Sequence, residues 1–298
     1  MKIIITAANG FMGEALVQYF SKAHEVVAIV RKSMHFENAK TCIWDGKNLG
    51  DWSTEIDDSD VLINLAGKSV NCRYNDANKA SIYASRLEST TVLGKAIEAC
   101  KNPPKIWINA ASATIYRHSI NDPMTENNGE IGTGFSVDVC QQWEKSFFDF
   151  QLKNTRQVAL RTAIVLGKNG GVMIPFKRLT QLGFGGKMGN GQQQFSWIHI
   201  EDVCRSIEFI IENESLSGAI NVSSLNPIRN SVFMQVLRLR YNRFALIPSP
   251  KWLLELGAKL IKTETELILK SRFVIPEKLE QAGFKWKFTK IEDALQEC

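Results

Sequence analysis

The stretch Lys2-Ile3-Ile4-Ile5-Thr6-Ala7-Ala8-Asn9-Gly10-Phe11-Met12-Gly13 decides how this 298-residue chain is read. Residues 2–5 form a short run rich in β-branched side chains, and Leu16, Tyr19, Phe20 and Ala23 follow at helical spacing. The polar, glycine-bearing turn between them therefore joins a strand to a helix. Such a turn presents backbone N–H groups at a helix N-terminus, where the pyrophosphate of a dinucleotide binds. Gly10 would let a phosphate approach the backbone and Gly13 would let the helix pack tightly on the strand, while Ala7 stands where a first glycine is expected. Alanine there adds only a methyl group if its backbone φ is negative. Thr6, Asn9, Gly10, Phe11, Met12 and Gly13 are thus candidate cofactor-binding residues.

Further along, residues 25–30, 61–65, 106–111 and 158–166 are continuous apolar runs, separated by segments long enough for helices. Two of these connectors, 79–100 and 139–153, carry helical patterns, the first stopped by Pro103 and Pro104. Continuous rather than alternating strands with intervening helices predict an α/β fold, a Rossmann-type doubly wound parallel sheet covered on both faces. Beyond Leu166 glycines crowd the chain from Gly167 to Gly191 and predict loops. A strand over 195–200, a helix over 203–211 and a short strand over 219–222 follow, and residues 226–298 show helical periodicity without a comparable sheet pattern. The expected division is a dinucleotide-binding domain of residues 1–170 and 195–225, with a smaller, mostly helical C-terminal substrate lobe of 171–194 and 226–298.

Hydrophobic residues at 44% and charged residues at 22% give the chain enough apolar side chains for a sizeable core, which excludes intrinsic disorder. The net charge of +5 is spread without a basic block, so nucleic acid is not an expected partner. The apolar part of the N-terminus is too short for a signal peptide and no run suits a membrane span, so a cytoplasmic protein is expected. The six cysteines lie far apart and away from the four histidines, which predicts reduced thiols and no metal site.

A site selective for NAD would carry an acidic residue at the end of the second strand, but that strand runs into Arg31 and Lys32. Two cations there suit the 2′-phosphate of NADP, with NAD as the alternative and a solvated strand end as the plain structural one.

With these residues in place, the chain resembles the extended short-chain dehydrogenase/reductases, and among them the atypical epimerase-family proteins that end in a domain of unknown function. The likeness runs nearly end to end. It is carried by the turn from Thr6 to Gly13, Asn64-Leu65-Ala66-Gly67, Ser85-Arg86-Leu87-Glu88, Leu160-Arg161-Thr162, Val165-Leu166-Gly167, Ser196-Trp197-Ile198-His199 and Ile275-Pro276-Glu277-Lys278. The resemblance implies that Asp45 lies near the adenine, that Leu65, Ala66 and Gly67 line the cofactor, and that Arg86 reaches toward its phosphates. On their own, Asp45 before Gly46 reads equally as a turn residue and Arg86 as a solvated helix face.

Extended members pair a Ser or Thr at the end of the fifth strand with a Tyr-x-x-x-Lys helix. Ala111-Ser112-Ala113-Thr114-Ile115-Tyr116 resembles the serine segment of sugar-nucleotide 4-epimerases and places Ser112 on the catalytic serine. Dehydratases carry an acidic residue next, and here it is Ala113. In the following helix Ser136 falls on the tyrosine position and Cys140 on the lysine position, so the family's proton relay is missing. Tyr116 is the candidate donor in its place, with Asp138 and His199 as candidate bases; each has a structural alternative, as a packing residue, a helix cap and a strand histidine respectively. In the C-terminal lobe Arg272 is the best candidate for a substrate phosphate or carboxylate, although the charge alternation from Thr263 to Arg272 favours a solvated surface.

These readings predict an NADP-binding, epimerase-like oxidoreductase acting on a secondary alcohol of a small polar substrate such as a sugar nucleotide. The alternative is an NADP-binding sensor or scaffold that no longer turns over.

Overall fold

The computed structural model describes residues 1–242 and 269–298. Seven parallel strands form the main sheet: β1 (Lys2–Thr6), β2 (Glu25–Val30), β3 (Lys40–Ile43), β4 (Val61–Asn64), β5 (Ile106–Ser112), β6 (Arg156–Thr162) and β10 (Gly218–Val222). Their order across the sheet is β10-β6-β5-β4-β1-β2-β3. The chain thus winds outward from β1 to β3 on one side, then returns to β4 and winds the other way. Such a reversal leaves a crevice at the carboxyl ends of β1 and β4, where doubly wound sheets bind ligands.

Ile3, Ile4 and Ile5 are all fully buried because both faces of the sheet are covered. Alternation along β1 sends Ile3 and Ile5 against helices α1 (Phe11–Phe20) and α5 (Ile200–Glu212), where Leu16, Phe20, Ile207 and Ile210 pack. Ile4 points the other way, into a second cluster with Trp107, Leu93, Ile97 and Phe147 beneath α2 (Asp76–Ala99) and α3 (Phe135–Phe148). A third cluster, with Met173 of α4 (Met173–Gln181), Phe195, Trp197, Phe233 of α6 (Asn230–Arg240) and Ile291, lies off the main sheet.

Several boundaries differ from the pattern expected. The run 158–166 is two strands: after β6, Ala163 N donates to Val222 O, then β7 (Ile164–Leu166) leaves the sheet to pair with β9 (Trp197–His199). The run 195–200 likewise divides, because β8 (Gln194–Phe195) pairs antiparallel with β11 (Ile228–Arg229). Helix α2 starts at Asp76 because the Asn75 side chain accepts from Asn78 N at 2.9 Å. Helix α3 starts four residues earlier than its periodicity suggests, after Gly134 at φ 101°, a cap with no side-chain signal to read. Two short helices, α7 (Glu277–Gln281) and α8 (Ile291–Gln296), close the chain. Among the described residues no helix is long and apolar enough to cross a membrane.

An extended C-terminal segment matters for the site. Ser271 O accepts from Ser119 N, Phe273 O from Met124 N, and Arg272 bonds through N–H and C=O to Gln194 O and Ser196 N. Ser196 Oγ donates to Arg272 O at 2.6 Å and accepts from Val274 N at 2.8 Å. Residues 271–275 are thereby stitched between the loop that follows β5 and strand β8.

Candidate active site

At the carboxyl end of β1 the turn is tighter than alanine prefers. Ala7 adopts φ +50°, not the negative φ that would make the missing glycine cheap, and its carbonyl accepts from Gly10 N at 2.9 Å. A non-glycine residue in the left-handed region carries about 1–2 kcal/mol of strain. Ala7→Gly is therefore expected to raise the thermal midpoint, by an amount equivalent to about 1 kcal/mol or less once the added chain entropy is offset. A lower midpoint in thermal unfolding would show that the alanine is not strained. Gly13 is required by packing: a Cβ there would lie 2.5 Å from Ala7 O and 2.7 Å from Ala8 Cα. Gly10 meets only Ala7 O, at 3.3 Å, and Asn9 is exposed, so the mouth of the turn is open. The amides of the first turn of α1 face it without intrahelical acceptors. This cradle fits a pyrophosphate. Phe11 is held instead against the loop after β7, where a Cβ on Gly170 would come within 2.4 Å of its ring, and Met12 packs on the core cluster beneath α1.

Thr6 is fully buried, with its hydroxyl committed to the sheet. It donates to Asn64 Oδ1 at 2.7 Å and accepts from Leu65 N at 3.1 Å, while Asn64 Nδ2 donates to Asn109 Oδ1 at 2.7 Å. This chain locks the ends of β1, β4 and β5 together beneath the crevice and directs the half-buried Leu65 and Ala66 and the exposed Gly67 along its wall. Arg86 on α2 donates to Lys68 O at 3.0 Å and lies over the Trp143 ring at 4.9 Å, bracing that wall against α3; burial lowers its pKa. A Cβ on Gly67 would touch the Arg86 guanidinium carbon at 3.4 Å.

Arg31 and Lys32 are exposed just beyond the carboxyl end of β2. Asp45, beyond β3, is exposed and forms a local turn: it accepts from Lys47 N at 2.8 Å, Asn48 N at 2.9 Å and Asn48 Nδ2 at 2.6 Å. The Asn48 and Lys47 amides hold its carboxyl below its ordinary range.

Ser112, at the last position of β5, opens onto a cavity and accepts from Thr114 N at 3.2 Å. Tyr116 does not join it. Its ring is 2% exposed, its hydroxyl donates to Asn221 Oδ1 and accepts from Arg161, both at 2.9 Å, and burial raises its pKa. Tyr116 is therefore a core residue, and its expected role as proton donor is corrected. Asp138 accepts from Tyr83, and His199 caps α5, with Nδ1 accepting from Glu201 N at 3.3 Å and its ring against Phe288. Neither lines the cavity.

On α3, Ser136 and Cys140 are both buried, and burial pushes the Cys140 thiol up to about 11, so it stays protonated. What sequence reasoning missed is Tyr74. Its ring packs edge-on to Phe135 at 4.7 Å and its hydroxyl accepts from Ser136 Oγ at 3.4 Å, which brings a phenol from the loop before α2 beside the residue expected at the tyrosine position. No local motif marks Tyr74, because only the α2–α3 packing brings it there.

The cavity beside Ser112 encloses about 570 Å³. Lys270 and Arg272 line it: Lys270 Nζ donates to Thr114 O at 2.9 Å and Arg272 Nε to Thr114 Oγ1 at 3.2 Å, and Arg272 is only 7% exposed. The expectation that this charged run is solvated surface therefore does not hold for Arg272, which the backbone bonds described above hold inward, while Lys270 is half-buried. Thr263, Glu264, Thr265 and Glu266 lie outside the described residues. Among the described residues no group of three or more His, Cys, Asp or Glu could hold a metal.

Comparison with known proteins adds the following. The model of the NAD dependent epimerase/dehydratase family matches residues 3–134, and that of a domain of unknown function, DUF1731, matches residues 249–298. Epimerase family protein SAR0825 of Staphylococcus aureus is 30% identical over 296 residues, covering 99% of this chain and 97% of that protein. Epimerase family protein SSP1921 of Staphylococcus saprophyticus is 30% identical over 299 residues, covering 99% and 98%. Among solved structures, human epimerase family protein SDR39U1 (isoform 2) with NADPH superposes with a TM-score of 0.85 at 28% identity, over 100% of this chain and 98% of that one. A nucleoside-diphosphate sugar epimerase from Corynebacterium glutamicum superposes with a TM-score of 0.79 at 28% identity, and this chain spans 57% of its length.

Proposed function

Because the chain belongs to the NAD-dependent epimerase/dehydratase family, we propose that it is an NADP-binding oxidoreductase that interconverts a secondary alcohol and its carbonyl. The observation that carries this reading is the placing of three features past the carboxyl ends of neighbouring parallel strands: the open glycine turn after β1, the paired cations past β2 and Ser112 at the end of β5. The Gly10–Gly13 turn would hold the pyrophosphate and Arg31 and Lys32 the 2′-phosphate. When bound, the nicotinamide supplies the hydride acceptor and donor. The chain's own residues handle the oxygen and its proton. Ser112 Oγ hydrogen-bonds the reacting oxygen, and the Tyr74 phenol, oriented by Ser136 Oγ, gives or takes the proton. The half-buried Arg86 guanidinium would supply the positive charge that a lysine supplies elsewhere in the family. The NADPH-bound human relative supports the cofactor assignment.

The replacement of the family's pair by Ser136 and Cys140 favours a second reading, a sensor that binds NADP without turnover. Isothermal titration tests both. NADPH is expected to bind more tightly than NADH, and Arg31→Ala with Lys32→Ala to remove that preference, a loss of about tenfold or more for charge-assisted phosphate contacts. An equal response to both cofactors would overturn the NADP assignment. Absence of binding to either would sink enzyme and sensor together. Binding of NADPH without oxidation by any member of a carbonyl panel would leave the sensor.

A further inference from the structure

One aromatic ring joins the dinucleotide turn to the cavity beside Ser112. The loop after β7, Gly167-Lys168-Asn169-Gly170-Gly171, is mostly glycine, and its Lys168 and Asn169 side chains are exposed. Its seat is therefore made by its neighbours, Phe11 and Ile200. A Cβ on Gly167 would come within 2.9 Å of both Phe11 Cζ and Ile200 Cγ2, one on Gly170 within 2.4 Å of Phe11 Cδ2, and one on Gly171 within 3.0 Å of Phe11 Cε1. The ring thus lies across the loop's glycines, closer than any side chain on them would allow. At its other end the loop enters the cavity wall, where Gly171 and Val172 stand with Ser112. Val172 O accepts from Phe176 N at 3.2 Å, so the same end sets the start of α4, whose Phe176 and Leu179 continue that wall. The backbone of Phe11 belongs to the turn instead. It is the first residue of α1, directly after Gly10, and its amide is one of those without an intrahelical acceptor.

Resting on the cofactor reading of this site, we propose that Phe11 is a positioning residue whose amide receives the pyrophosphate while its ring seats the loop, so that occupancy of the turn sets the wall of the substrate cavity. Amide and ring share one Cα. An anion held on the amide fixes the backbone there and with it the direction of the Cα–Cβ bond, and a packed ring moves between discrete arrangements rather than by degrees. The loop is the element to be biased. Its glycines carry a large ordering entropy, so what holds the loop is contact with a neighbour that is itself held. A ligand that steadies Phe11 therefore steadies residues 167–172, and by linkage a firm loop favours the ligand in return.

Hydrogen–deuterium exchange of the amides of residues 168–172 tests this with saturating NADPH, 2′-phospho-ADP-ribose and 2′-AMP. The second carries the pyrophosphate without a nicotinamide to touch the loop directly, and the third lacks both. In the wild type the first two are expected to slow exchange about fivefold or more, the lower end of coupling between linked sites, and 2′-AMP to leave it unchanged. Phe11→Ala and Gly170→Ala break the contact from opposite sides. Each should still bind 2′-phospho-ADP-ribose and show no slowing, while Phe11→Leu, which keeps part of the apolar contact, should retain part of it. A cooperative thermal transition shows that a variant is folded. Exchange indifferent to 2′-phospho-ADP-ribose in the wild type, slowing by 2′-AMP, or slowing that persists in either variant would overturn the proposal. Loss of binding in both variants would do so too, by making the ring part of the cofactor site rather than a link from it. Failure of the wild type to bind any of the three ligands defeats the cofactor reading and this inference with it, and titration registers that before exchange is measured.

Discussion

Tyr74→Phe is expected to lower turnover by about 10²–10⁴-fold, the range over which a positioned general acid or base contributes. The variant removes one oxygen and leaves the ring against Phe135, so NADPH affinity and the thermal midpoint should be unchanged. Steady-state oxidation of NADPH by a carbonyl identified in a screen measures the effect. If the phenol is the proton carrier, kcat falls and the pH dependence of the residual rate loses the limb that reports its ionisation. Ser136→Ala, which removes the 3.4 Å hydrogen bond but keeps the phenol, should reduce kcat more modestly and leave that limb in place. A Tyr74→Phe enzyme with full kcat would show that the proton travels by another route. The Cys140 thiol is a poor alternative, since burial keeps it protonated to about 11.

The sheet was legible because the strands that make it are buried on both faces and leave continuous apolar runs, as residues 25–30 and 106–111 do. Edge strand β3, half-buried and polar in sequence, left no such run. The division of 158–166 into β6 and β7 was equally hidden, because a change of pairing partner at Ala163 does not alter the apolar character of the chain. In the candidate site, the glycine turn and Ser112 could be found because their identity is tied to position along one strand–turn–helix unit. Ala7 shows the limit of that logic. Its residue type implied an ordinary φ, and the turn imposes a left-handed one. Tyr74 went unnoticed and the burial of Lys270 and Arg272 was not foreseen for a different reason, that each is placed by contacts between segments far apart in sequence. Tyr74 meets Ser136 across 62 residues and Lys270 meets Thr114 across 156, distances over which no local pattern persists.

Glu144→Ala is expected to cost about 3–5 kcal/mol, the range for breaking a buried ion pair by removing one partner. Glu144 on α3 receives both arms of the Arg161 fork, Nε to Oε1 at 2.8 Å and Nη2 to Oε2 at 2.7 Å, with the two side chains only 10% and 13% exposed. Burial works against the Arg161 charge, yet the Glu144 carboxylate more than restores it, and the guanidinium pKa is raised overall. Removing the carboxylate leaves that charge enclosed. The damage would spread, since Arg161 also donates to Tyr116 Oη and lies over its ring at 5.1 Å, while Tyr116 holds Asn221, whose Nδ2 donates to Ile275 O at 2.9 Å. On β6, Arg161 is in register with Ala111, one residue before Ser112, so a shift of its side chain disturbs the floor of the crevice. In thermal unfolding the loss corresponds to roughly 5–8 °C for a chain of this size. The double variant Glu144→Leu, Arg161→Met should recover much of it, because replacing both charges by apolar groups removes the desolvation penalty along with the attraction. If the single variant melts with the wild type, Arg161 has access to water or to another anion once Glu144 is gone. If the double variant is no better than the single, the loss lies in the Tyr116 and Asn221 contacts that Arg161 organises rather than in the uncompensated charge.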